Sequence, residues 1–341
     1  MGRRAHILST SLTASFRLTE PRFGCSLSFT RKNPRARQHP PNPYRALRDT
    51  RHDTTMHTSQ IQPAVDAAVS SASALSLRVD DAVVLHDSNR LALRLRPCDV
   101  LARVAAPVRR NHEVAAFEVE MARQFEEADC PIAVLEPRVE PRVHVRDGFA
   151  ITYWTYYEPM PAADTTLAEY AQTLERLHAG MRQLDAPAPH FTERVEEAQS
   201  IVRDRSQSPE LIDADRELLA NSLRSLLRAI VDRGADEQLL HGEPHAGNLL
   251  RTKSGMRFID LETCCYGPVE FDIAYAPDEV GDHYAHADPL RLRDCRILML
   301  AMVAAWRADR DDDFPNGRAE RDALLSQIRA ALERHRLGAI P

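Results

Sequence analysis

Residues 239 to 275 read LLHGEPHAGNLLRTKSGMRFIDLETCCYGPVEFDIAY. The apolar runs here are too short for helices and alternate with polar residues, which predicts short strands near 238–241, 248–251 and 256–260. Lys253-Ser254-Gly255 supplies the turn between the last two. His241, Glu243 and Asn248 share the loop ahead of this hairpin, and Asp260 and Glu262 follow it. A hairpin folds back on itself, so the loop before it and the residues after it can converge. Three acids and one amide then gather around one point.

Phosphoryl transfer needs such a set. Magnesium prefers oxygen ligands and takes one or two carboxylates together with nucleotide phosphates. A further carboxylate must orient the attacking hydroxyl and accept its proton.

The blocks H-G-D/E-x-x-x-x-N, a short hairpin, I-D-x-E and G-P-x-x-x-D-x-A resemble the signature of the aminoglycoside phosphotransferase and choline kinase family. That resemblance implies an α+β, two-lobed protein-kinase-like fold, with a small β-rich N-terminal lobe and a larger helical C-terminal lobe. It implies a kinase that transfers the γ-phosphate of ATP or GTP to a hydroxyl of a small molecule, with Mg2+ as cofactor. Glu243 stands where the family has its catalytic base, usually Asp. Asn248 and Asp260 match the two magnesium ligands. His241 matches a histidine that braces the catalytic loop, and Asp272 a buried acid that supports it. Glu262 is placed to assist with metal or substrate. Leu174-Glu175-Arg176-Leu177-His178 resembles the family's L-x-x-L-H helix, read as packing.

Working outward, Val83-Val84-Leu85, Leu91 to Leu95 and Val100 to Val104 read as three strands, and Arg110 to Ala128 as an amphipathic helix. Further strands are expected within 132–157, including an Asp147-Gly148 hairpin signal. Helices are expected over about 165–185, 192–206, 209–233, 287–308 and 318–336. The Asp87-Ser88-Asn89 turn sits where kinases cover the phosphates, but it lacks glycine. The strand-three lysine is absent too, and the chain's only lysines are Lys32 and Lys253. Arg103 is the candidate replacement, a fixed cation for phosphate oxygens. Glu118 is its candidate partner, ahead of Glu113 and Glu120. Tyr156 and Glu158 fall in the expected connector between lobes, where the nucleotide base would lie. The resemblance covers roughly 80 to 310, more specifically in its C-terminal half.

The 341 residues carry a net charge of −6, unevenly distributed. Residues 1–60 hold 11 Lys/Arg against 3 Asp/Glu, which leaves the rest at −14. This first segment reads as a disordered basic tail, a transit peptide, or a misassigned start with Met56 as the first residue. Residues 61–157 form the expected nucleotide-binding lobe and 158–341 the helical lobe. An acidic body argues against nucleic acid as partner and favours a cationic acceptor. No apolar run reaches membrane length. Six scattered cysteines without a C-x-x-C pair suggest a reduced, cytoplasmic protein. A monomer or homodimer is expected. Two other readings compete: a nucleotide-binding pseudokinase acting as scaffold, and a zinc hydrolase built on His241-x-Glu243. Adjacent Cys264 and Cys265 do not supply the ligand spacing of the second.

Overall fold

A computed structural model of the protein describes Met56 and residues 58–87, 90–160, 165–284, 286–312 and 314–338. Helix α1 (Thr58–Ala74) precedes a sheet of β1 (Val79–Asp87), β2 (Leu91–Pro97), β3 (Val100–Ala105), β4 (His144–Arg146) and β5 (Phe149–Thr155). All pairings are antiparallel, in the order β1-β2-β3-β5-β4. Alternation along β2 and β3 sends Leu91, Leu93, Leu95, Val100, Ala102 and Val104 to one face. There they pack on α1 and on Met56. Arg103 necessarily points to the other face.

Helix α1 is an addition to the sequence reading. Its buried stripe is made of four alanines and Ser71, which gives little contrast with the alanines and serines around it. Helix α2 (Arg109–Glu127) lies between β3 and β4 in the chain. Its Phe117, Met121 and Phe125 join a core with Trp154, Leu174 and Phe258, so this helix is packed against both lobes. Its one fully buried charge is Glu118. At the β4–β5 turn, Asp147 and Gly148 both take positive φ, as a two-residue hairpin requires.

The second lobe contains α3 (Leu167–Met181), α4 (Phe191–Arg203), α5 (Asp213–Arg233), β6 (Glu237–Leu240), β7 (Leu249–Thr252) and β8 (Gly255–Phe258). It continues with β9 (Cys265–Pro268), α6 (Val269–Ile273), α7 (Pro289–Trp306) and α8 (Gly317–Gly338). Helix α3 starts at a capping box, in which Thr166 accepts from Glu169 N at 3.2 Å and Glu169 accepts from Thr166 N at 3.0 Å. Strands β7 and β8 form the expected hairpin. Strand β9 is a second addition, because four residues ending in Gly-Pro give no periodicity. It pairs antiparallel with β6, Leu239 opposite Tyr266. That pairing sets the start of the 241–248 loop beside 260–264. Among the described residues no helix is long and apolar enough to cross a membrane.

Behind β9 the rings of Phe191 and Tyr275 pack on fully buried Phe271, at 5.2 and 5.6 Å between centroids. Truncating a buried aromatic costs about 3–5 kcal/mol. Phe271→Ala is therefore expected to lower unfolding stability by about that amount, measured by urea titration with circular dichroism.

Candidate functional site

The loop after β6 is fixed from below by a single carboxylate. Asp272 on α6 is fully buried. Its Oδ2 accepts from His241 N and from His178 Nε2, each at 2.9 Å, and its Oδ1 accepts from Gly242 N at 2.8 Å. The other ring nitrogen of His178 is hydrogen-bonded to Tyr284 Oη at 3.0 Å, which fixes the orientation of the ring. The sequence reads His178 as packing; it is a polar brace as well. His241 is buried, and its Nε2 donates to Ile259 O at 3.0 Å. Burial pushes the His241 pKa down against the pull of Asp272, so the ring is held neutral. Gly242 takes φ +90°, and a Cβ there would lie 2.0 Å from Thr263 O, so no other residue fits without moving the backbone.

Asn248 closes the loop. Its amide donates to Glu243 O at 3.0 Å, and its backbone carbonyl accepts from Ile259 N at 3.0 Å. The second bond brings Asn248 to the residue before Asp260. Asp260 sits in the left-handed region, φ +68°, which short polar side chains tolerate better than most. With its N–H committed, Asn248 keeps Oδ1 as an acceptor. Asp260 gives Oδ1 to Arg103 and keeps Oδ2. One amide oxygen and one carboxylate oxygen are donors of the kind a hard divalent cation takes alongside phosphates.

The two lobes meet in a charge cluster. Arg103 on β3 pairs with Glu118 of α2 and, at 2.9 Å, with Asp260. Glu118 takes a second guanidinium through its other oxygen, that of Arg90 just before β2. Arg90 in turn reaches Glu262 at 2.5 Å. Glu113 and Glu120, the alternatives to Glu118, pair with Arg109 and Arg123 on their own helix instead. Burial pushes the Asp260 carboxyl up, but Arg103 and Arg90 outweigh it, and its pKa lies below the ordinary value. For Glu262 burial prevails: Arg90 pulls back, the Asp260 and Glu118 charges push further, and the net shift is upward.

Glu243 is ion-paired with Arg194 of α4. Arg194 also donates to Gly242 O at 3.1 Å and lies over the Trp306 ring at 5.3 Å. Tyr156 and Glu158 stand apart from the cluster. Arg94 stacks on the Tyr156 ring at 4.0 Å and pairs with Glu158 at 3.1 Å. Of the expected phosphate-covering turn, Ser88 and Asn89 lie outside the described residues. The zinc reading finds no set of ligands: among the described residues no three His, Cys, Asp or Glu are gathered to hold a metal. His245 uses Nδ1 on Gly247 N at 3.0 Å. Burial raises the pKa of the Cys264 and Cys265 thiols.

Sequence reading misses Arg90 and Arg194. Arg90 has no available signal, because it shares the even spacing of Arg94 and Arg96 along the strand. Arg194 has none, because an arginine on a charged helix looks like a solvated face.

A twisted antiparallel lobe, a helical lobe and a loop-hairpin-acid segment between them define a kinase-like phosphotransferase. The chain belongs to the phosphotransferase enzyme family (APH), which it matches over residues 80–294. Among solved structures it is similar to amicoumacin kinase hAmiN in complex with AMP-PNP, Ca2+ and Ami, at 12% identity, covering 80% of this chain and 96% of that one, TM-score 0.61. It is similar to choline kinase LicA from Streptococcus pneumoniae at 14% identity, covering 80% and 99%, TM-score 0.58. It is also similar to a mutant aminoglycoside 2'-phosphotransferase-IIIa in its GDP complex, at 13% identity, covering 78% and 96%, TM-score 0.58. At these identities the likeness is one of fold. No curated protein matches.

Asp272→Asn keeps the shape of the brace but turns an NH2 group toward one of its N–H donors. A buried polar group left unsatisfied costs about 1–3 kcal/mol. We expect a loss of that size in urea unfolding, with the helical circular dichroism signal of the folded state retained.

Proposed function

We propose that this protein transfers the γ-phosphoryl group of ATP or GTP to a hydroxyl of a small molecule, with Mg2+ as cofactor. The observation that carries this reading is Arg103, which spans Glu118 in one lobe and Asp260 in the other. The position of the sheet lobe and the arrangement of the acidic loop are thereby tied to one side chain. Asn248 and Asp260 would hold the magnesium, which when bound supplies charge neutralisation to the phosphates. Glu243 orients the acceptor hydroxyl and takes its proton as the new O–P bond forms and the bond to the departing nucleoside diphosphate breaks. Arg103, held by Glu118, steadies the phosphates. Tyr156 and Glu158 line the connector on which the nucleotide base rests. His241 and Asp272 hold the loop in place without touching substrate.

Glu243 is one methylene longer than the usual Asp. Its pairing with Arg194 anchors the longer side chain beside Gly242. The same arginine bears on the acceptor. The acidic body attracts cations at long range, whereas Arg194 sets a fixed positive charge beside Glu243. A cationic acceptor must then carry its ammonium group away from the hydroxyl that is phosphorylated.

One observation favours a second reading, nucleotide binding without transfer: Glu243 and Asp260 are each already paired with an arginine. Two measurements separate the readings. Mg-ATP or Mg-GTP at about 100 times its Kd should stabilise the fold by about 2.7 kcal/mol, and Asp260→Ala should abolish that thermal shift. With an acceptor identified from a panel of cationic, neutral and anionic hydroxyl compounds, Glu243→Gln should lower kcat by about 10²-fold or more and leave nucleotide affinity unchanged. Full activity in Glu243→Gln would remove it as the base. A nucleotide shift with no transfer to any acceptor in the panel would establish the second reading.

A further inference from the structure

We propose that Arg90 is a second phosphate-binding cation of the nucleotide site, held on Glu262 until Mg-nucleotide arrives; this rests on the nucleotide reading above. Arg90 and Arg103 share Glu118, one on each of its oxygens. Their guanidiniums are thus fixed side by side on a carboxylate that is itself fully buried. Each then extends its other arm to a different acid of the same short segment, Arg103 to Asp260 and Arg90 to Glu262. The two arginines are equivalent in this wiring, yet the family resemblance accounts for only one of them.

Charge balance dictates how these pairs change when the site fills. Two guanidiniums face three carboxylates in a region where Arg90 is 6% exposed. A hard divalent cation takes carboxylate oxygens, and one held by Asn248 and Asp260 would also attract the Glu262 carboxylate two residues on. Any acid drawn to the metal releases an arginine arm. Arg90 keeps Glu118, but its freed arm is a buried donor short of a partner, which costs free energy, and the anion that would enter together with the metal is the nucleotide's phosphate chain. Arg90 stands just before β2, whose Ala92 is opposite Arg103 on β3, so both arginines reach the same side of the sheet. Arginine suits this exchange because its planar fork bonds Glu118 with one nitrogen and a phosphate oxygen with the other. A lysine ammonium carries its three donors on one nitrogen, so it holds such a pair only when both acceptors lie close around that point. Lys253, the one lysine among the described residues, lies on the β7–β8 turn and does not take part.

The test compares ligands that differ only in phosphate. The full chain and its Arg90→Met and Arg90→Lys variants are titrated calorimetrically with Mg-ATP, Mg-GTP, adenosine and guanosine. Arg90→Met should weaken the triphosphate at least about tenfold, or about 1.4 kcal/mol, and leave the matching nucleoside within about twofold. Arg90→Lys, which keeps a charge on Glu118, should lose triphosphate affinity to a smaller degree. It carries the test if the Met variant does not fold. Equal losses for triphosphate and nucleoside would make Arg90 a structural strut and overturn the proposal. Unchanged triphosphate affinity in both variants would do the same while leaving the kinase reading intact. If the unmodified protein binds none of the four ligands, the nucleotide reading falls and this inference falls with it.

Discussion

The carboxylate of Glu118 is the point on which the two lobes depend. It is fully buried on a helix whose apolar residues belong to a core shared between the sheet and the helical lobe. A buried charge is tolerated only when well paired, and breaking such a pair leaves an uncompensated ion costing about 3–5 kcal/mol. Glu118 satisfies this demand with two arginines from the sheet. Each arginine meets its own remaining demand with an acid from the other lobe. The result is a chain of obligations that runs from α2 through β2 and β3 to the 260–262 segment, and no member can be moved alone.

A second buried acid does the complementary task within the helical lobe. Asp272 accepts from two successive backbone amides and from His178, which fixes the loop carrying Glu243. The two buried acids differ in what they hold. Asp272 binds two backbone N–H groups and a histidine ring N–H and forms a permanent brace. Glu118 binds cations whose other partners are charged acids, and under the proposed nucleotide reading those outer pairs would be the ones to change when metal and phosphate enter. Bracing of the 241–248 loop and contact with the cleft are thus assigned to separate carboxylates.

The fold is legible wherever hydrophobic period or turn chemistry is strong. The strands around Leu91 to Val104, helix α2 and the Lys253-Ser254-Gly255 hairpin obey the pattern of the sequence. Helix α1 is hidden because alanine and serine barely contrast, and β9 because four residues are too few for a period. Among the site residues, the ion pair of Arg103 with Glu118 is reachable because a missing lysine requires a substitute cation. Arg90 and Arg194 are not. Both are indistinguishable from surface arginines in a chain where nearly every basic residue is arginine, and only tertiary packing reveals that their charges are spent inside.

That arginine-rich composition also explains how the site tolerates its departures from the usual pattern. A lysine carries its charge and three donors on one nitrogen, so its partners must lie close around one point. An arginine reaches further and spreads its donors over a planar fork. Arg103 spans Glu118 and Asp260 through two different nitrogens. On the other side of the cleft, Arg194 can hold Gly242 O and the longer Glu243 together while lying over Trp306. A glutamate in place of aspartate would be loose on its own, since its extra rotatable bond spreads the carboxylate over more positions, and a displacement of about 1 Å can cost about 10²-fold in rate. Anchoring by a buried fork removes that freedom. Replacement of lysine by arginine and of aspartate by glutamate are then two expressions of one geometric choice, longer side chains held by more contacts.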